Sequence, residues 1–252
     1  MRKLIAIITV LMVGAFVVST VLAAPFQRGS ASQKAAVLQS EWVEEVFIDY
    51  GNDPSHAGPG PHPTTESDKF HLTQGGISWF SDSTVKYKIS GTEDVSGGNT
   101  AIESAVSTVD GFVTTRGFAR DDGSPSSNSC GGVNEVVWAS IDGSGGVLAT
   151  ASVCRNVATK EIAGFVVTID TDDVWSTSGE SDKFDVKNVV VHEFGHVAGL
   201  DHVSAPKDGC LTMYKFAGEG ETQKQTLGLG DKLGMDELYD TGDTSVGPGC
   251  GS

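Results

Sequence analysis

Asp185-Val186-Lys187-Asn188-Val189-Val190-Val191-His192-Glu193-Phe194-Gly195-His196-Val197-Ala198-Gly199-Leu200-Asp201-His202 is the stretch from which the rest of the 252-residue chain can be read. Asp185 is a good N-cap, and the apolar run behind it predicts a buried helix. At 3.6 residues per turn, His192 and His196 differ by about 40° and about 6 Å, so both imidazoles can reach one ion from a single helix face. Glu193 follows directly and stands beside that ion. A third ligand from the same helix would point elsewhere, so the helix must end. Gly199 can take the left-handed conformation that turns the chain back and brings in His202. Three neutral imidazoles leave a fourth tetrahedral position for water, the arrangement of a catalytic zinc. With 6 His and 32 Gly in the chain, the five fixed positions of HExxHxxGxxH would arise by chance with a probability on the order of 10⁻⁵.

Upstream, Thr84 to Ile89 alternates as a half-buried strand. Asn99 to Thr114 places Ile102, Ala105, Val106, Val109 and Val113 at helical spacing, with Asn99 or Thr100 as N-cap. A Gly/Ser/Asp loop from Asp121 to Ser129 precedes three strand candidates, Val133 to Ile141, Val147 to Val153 and Ile162 to Ile169.

The N-terminus has the form of a secretory signal. Arg2 and Lys3 precede an apolar run from Leu4 to Val18 that closes on Val21-Leu22-Ala23, which predicts cleavage after Ala23. Residues 24–70 are polar and irregular, with a short helical candidate from Gln33 to Phe47 and a Pro/Gly run from Ala57 to Pro63, and read as a leader, linker or propeptide. His56, His62 and His71 lack ligand spacing and read as solvated linker histidines. The organisation expected is therefore a signal peptide at 1–23, a leader at 24–70, a catalytic zinc domain at 71–240 and a tail at 241–252.

A formal charge of −16 argues against nucleic acid and anionic membranes as partners and favours cations. Export makes disulfides plausible for Cys130, Cys154, Cys210 and Cys250, which allow three pairings. Cys130 and Cys154 are equidistant from Asp142. If 133–141 and 147–153 pair as antiparallel neighbours around it, their ends meet, which predicts Cys130–Cys154 and leaves Cys210–Cys250.

The motif, followed by Leu211-Thr212-Met213-Tyr214, resembles the metzincin peptidases with their methionine turn. Asp142 to Ala149 and Gly230 to Met235 with Leu238-Tyr239 narrow the likeness to the matrixins, the matrix-metalloproteinase family and its bacterial relatives, over residues 79–240. The resemblance implies an α/β (α+β) fold: a twisted, mostly parallel five-stranded sheet with an antiparallel edge strand, an active-site helix, a methionine turn and a small C-terminal lobe. It also implies a secreted, monomeric zinc endopeptidase acting on extended polypeptides. Val147, Leu148, Ala149, Thr150 and Ala151 would be the edge strand that pairs with substrate. Met213 would be an apolar floor with Tyr214 beside it. Glu193 would be the base that takes a water proton and passes it to the leaving amine. Calcium is implied at Asp142, Asp170 and Asp173 with backbone oxygens of Gly143, Gly145 and Val147. The family's second zinc is not, because Thr150 and Thr168 stand where it has histidines. Val203 and Lys215 depart from the family's Ser and Pro, so its substrate preference does not carry over. Its inhibitory leader cysteine is missing, since the first cysteine is Cys130. Inhibition by residues 24–70 would have to be steric or use Asp49, Asp53 or His56. The rival reading is a non-catalytic secreted zinc- or calcium-binding module, which would have no need of Glu193.

Overall fold

The computed structural model describes residues 42–51, 67–80, 83–115 and 117–245. In chain order the strands are β1 (Trp42–Gly51), β2 (His71–Leu72), β3 (Val85–Ser90), β4 (Phe118–Arg120), β5 (Glu135–Ala139), β6 (Val147–Asn156), β7 (Ile162–Asp170), β8 (Trp175–Ser176), β9 (Phe184–Asp185), β10 (Leu200–Asp201) and β11 (Phe216–Ala217). The helices are α1 (Gly98–Asp110), α2 (Val186–Val197) and α3 (Leu229–Tyr239).

One sheet of seven strands, in the order β11-β1-β6-β7-β5-β3-β4, organises the molecule. Its β4-β3-β5-β7 section is parallel, and β6 runs antiparallel to β7. These five strands are the sheet expected from the sequence. Two more extend it: β1 lies antiparallel along β6, and β11 pairs in parallel with the end of β1. Burial alternates along β6 and β7, with Ala149, Ala151 and Val153 on one and Phe165, Val167 and Ile169 on the other fully buried. The helix α1 begins as expected, but Gly97 in a left-handed conformation is its N-cap. The Asn99 N–H donates to Glu93, and the Asn99 side chain accepts from Trp138 Nε1. No helix among the described residues is long and apolar enough to cross a membrane.

Three expectations are corrected. Trp42 to Phe47, read as helical, belongs to β1, because Phe47, Asp49 and Gly51 turn inward with period two while Val46 and Tyr50 face out. β6 is not an edge, because β1 covers Val147 to Ala151. His71 is not a linker histidine: β2 pairs with β10, and His71 Nδ1 lies 2.8 Å from the His202 carbonyl oxygen.

The Cys130–Cys154 bridge forms, by a route other than the one argued. The strands β5 and β6 are not neighbours; each pairs with β7. The loop before β5 reaches across to β7 through Ser129 N–H donating to the Ala163 carbonyl, and Gly164 of β7 faces Cys154. The expected partner of Cys210, Cys250, lies outside the described residues, as do the signal segment, Asp53, His56 and His62.

Candidate metal centre

The Asp185 carboxylate caps α2 by accepting the Asn188 N–H at 2.9 Å. Apart from Lys187, every residue from Val186 to Val197 is buried, so each side of the helix has a distinct partner. Phe194 packs edge-on into an aromatic cluster with Tyr87, Phe118 and Phe165. Gly195 backs onto the methionine turn, where an added Cβ would fall 2.3 Å from Met213 Sδ. The remaining face presents His192, Glu193 and His196.

After the helix, Gly199 adopts φ +99°, and a Cβ there would lie 2.2 Å from the Ile77 carbonyl oxygen. Only glycine fits both conditions. Its N–H donates to the His196 carbonyl, and its own carbonyl accepts from Thr73. The chain then runs through β10 to His202.

The three imidazoles meet. His192, His196 and His202 have Nε2 atoms 3.1 to 3.2 Å apart. These contacts are not a ring of hydrogen bonds. His192 Nδ1 lies 2.6 Å from the Thr212 carbonyl and His196 Nδ1 lies 2.9 Å from the Leu200 carbonyl, so in each ring the proton sits on Nδ1 and the Nε2 lone pair points inward. Such lone pairs repel unless a cation lies between them. Ligands at 2.0–2.1 Å and tetrahedral angles would be about 3.3 Å apart, close to the observed spacing, so the donor set fits zinc. Burial, with neighbouring Lys224 and the other imidazoles, pushes His192 and His196 well below the ordinary imidazole range, and burial with Lys224 and Lys215 brings His202 to about 4. Neutral imidazole is the form that binds metal.

The support beneath the ligands is partly one the sequence concealed. Asp231 of α3 accepts N–H groups from Thr212, Met213 and Gly228 at 2.7, 3.2 and 3.0 Å. It fixes the turn whose Thr212 carbonyl orients His192, an outer link of the kind that tunes metal ligands. Lys224, fully buried, donates to the carbonyls of Tyr214 and Phe216 at 2.6 Å each and holds the following loop against the turn. Val203, at a departure from the resembled pattern, donates to the Met213 carbonyl, and Lys215 N–H returns to Val203.

Glu193 is fully buried beside the cluster, and neither carboxylate oxygen has a hydrogen-bond partner. Asp49 of β1 is in the same condition. Ligand atoms of Asp49, His192 and Glu193 lie within 4.8 Å of one another. Burial raises both acids, the Asp49 carboxylate pushes Glu193 further up and Glu221 does the same to Asp49, while Lys224 pulls both back. Of the acids weighed as blocking groups, Asp49 is therefore brought to the site. The alternation of Val46, Phe47, Ile48, Asp49 and Tyr50 was the signal that this segment is a strand.

The acids proposed for calcium gather at one loop, but as hydrogen-bond acceptors. Asp142 accepts from Val147 N–H, Asp170 from Ile141 and Asp172, and Asp173 from Gly145. Gly143 and Gly145 supply the loop's left-handed turns. Among the described residues, the sets of three or more His, Cys, Asp or Glu side chains whose ligand atoms converge are the three histidines and the Asp49, His192, Glu193 set. Thr150 faces Thr168 across β6 and β7.

Compared with known proteins, residues 132–240 match the family profile described as matrixin. This segment is similar to a matrixin domain. Stromelysin-3 of Mus musculus is 34% identical over 99 residues, and stromelysin-3 of Homo sapiens 37% over 99 residues. In both cases the match covers 39% of this chain and 18% of the relative. The matched segment contains β5, β6, β7, the ligand helix, the Met213 turn and α3, whereas β1 lies outside it.

Proposed function

We propose that the chain is a secreted zinc-dependent endopeptidase acting on extended polypeptides. The observation that carries this reading is the buried, unpartnered carboxylate of Glu193 beside three convergent imidazoles. A structural zinc site has no use for such a group, while hydrolysis needs a base there. Zinc held by His192, His196 and His202 would acidify a water and polarise the scissile carbonyl. Glu193 would take the water's proton and deliver it to the departing amine. Met213 underlies the helix as an apolar floor and supplies no ligand. The signal-like N-terminus and the Cys130–Cys154 bridge support export, because disulfides persist in oxidising compartments.

The test is mass spectrometry of products from a denatured protein mixture, using the zinc-loaded chain and its Asp49→Ala form, which clears the carboxylate beside Glu193. Glu193→Ala should retain zinc and lose hydrolysis by about 10² to 10⁴ fold. Near-parental turnover by Glu193→Ala, or no cleavage by any zinc-loaded form, would overturn the reading.

A further inference from the structure

β1 lies antiparallel along Val147 to Ala151 of β6, the segment expected from the resemblance to pair with an extended substrate. It lies between β6 and β11, antiparallel to the first and parallel to the second. Its backbone bonds to both sides of the groove, Tyr50 N–H donating to Lys215 and Gly51 N–H to Gly146. Phe47 stacks on His196 with ring centroids 4.1 Å apart and meets His202 edge-on. Two residues further, Asp49 puts a fully buried carboxylate without a hydrogen-bond partner next to His192 and Glu193. The register shifts between Asp49 and Tyr50, where Leu148 of β6 is the extra residue, so β6 bulges opposite Asp49. Glu45 anchors the outer half, accepting from Arg155 Nε at 2.8 Å and Gln74 Nε2 at 3.0 Å.

Two adjacent buried carboxylates with no donors are an unfavourable arrangement in isolation. A divalent cation at the three imidazoles resolves it, since Asp49 then has a partner. A strand tethered to its own groove also competes with free peptides at an effective concentration of about millimolar.

We propose that β1 is an intramolecular occupant of the peptide groove and that Asp49 is a further ligand to the ion held by His192, His196 and His202, so that the chain is latent while β1 is in place. The latency rests on the peptidase reading above; the ligand assignment does not.

The test uses the full chain, verified uncut by intact mass and loaded with cobalt(II), whose visible absorption reports coordination. Asp49→Asn should alter that spectrum and bind acetohydroxamate at least tenfold more tightly than the parent. With zinc, Asp49→Ala should hydrolyse an unstructured peptide at least tenfold faster. In the unmutated chain, saturating acetohydroxamate should speed amide exchange over Val46–Gly51 at least tenfold, a measurement that does not depend on any variant folding. Identical cobalt spectra and hydroxamate affinities in parent and Asp49→Asn would overturn the ligand assignment, as would unchanged exchange over β1. If the zinc-loaded forms cut nothing while the spectra differ, the peptidase reading fails and the ligand assignment stands. If parent and Asp49→Ala cut equally fast, the latency fails.

Discussion

Replacing Gly199 by alanine loads two separate penalties onto the turn that delivers His202. The first is conformational: φ +99° lies beyond the left-handed region that residues with a Cβ tolerate, at about 1 to 3 kcal/mol. The second is steric: the new methyl would sit 2.2 Å from the Ile77 carbonyl oxygen, a backbone atom that moves only with its chain segment, and overpacking of this kind costs about 1 to 3 kcal/mol. Reduced freedom in the unfolded chain returns up to about 1 kcal/mol. The net loss is about 1 to 6 kcal/mol, which for a domain of this size lowers Tm by about 2 to 24 °C. Gly143→Ala is the matched control, since Gly143 has φ +92° with nothing within 4 Å of the added methyl, and it should show the conformational part alone. Because β10 follows Gly199 directly, zinc affinity measured against a chromophoric chelator should also fall at least tenfold for Gly199→Ala, and stay unchanged for the control. Calorimetry of the zinc-loaded proteins supplies Tm. A Gly199→Ala protein that melts with the control and binds zinc like the parent would refute the account of the turn.

Two further outcomes are expected. Replacing Cys130 and Cys154 together by serine opens a loop with a sequence separation of 24 and should remove about 3 to 4 kcal/mol, read as a lower denaturant midpoint; an unmoved midpoint would contradict the chain-entropy account. In metal-free protein, folded His202 stays neutral down to about pH 4 while the unfolded residue protonates below about 6.5, so it withdraws stability as pH falls through that window. His202→Ala, relative to the parent in chelator, should therefore gain about 3 kcal/mol between pH 7 and pH 4 in urea titrations, and a difference that stays flat across this range would count against a buried neutral imidazole.

The local parts of the site could be read directly because their geometry is set within one or two helical turns. Asp185 as cap, the shared face of His192 and His196 and the reversal at Gly199 each depend on neighbours a few residues away, and each stands where expected. Asp231 and Lys224 could not be assigned, because an acid or a lysine acquires meaning only from the donors and carbonyls that surround it after folding. The Cys130–Cys154 pairing was reached from symmetry about Asp142, yet what joins the two residues is the loop before β5 crossing to β7.

By itself, the sequence determined that a buried helix would carry two metal ligands and a carboxylate and that a glycine would return the chain to a third. Periodicity and backbone conformational limits act over short distances, so these features survive any detail of packing. Tertiary structure alone decided that Trp42–Gly51 is a strand, that it lies along β6 and not in a detached leader, and that Asp49 ends beside Glu193 and His192. Strand pairing joins residues about a hundred positions apart through backbone groups that are the same in every amino acid. The edge that accepts β1 therefore exists only once β6 and β7 have paired.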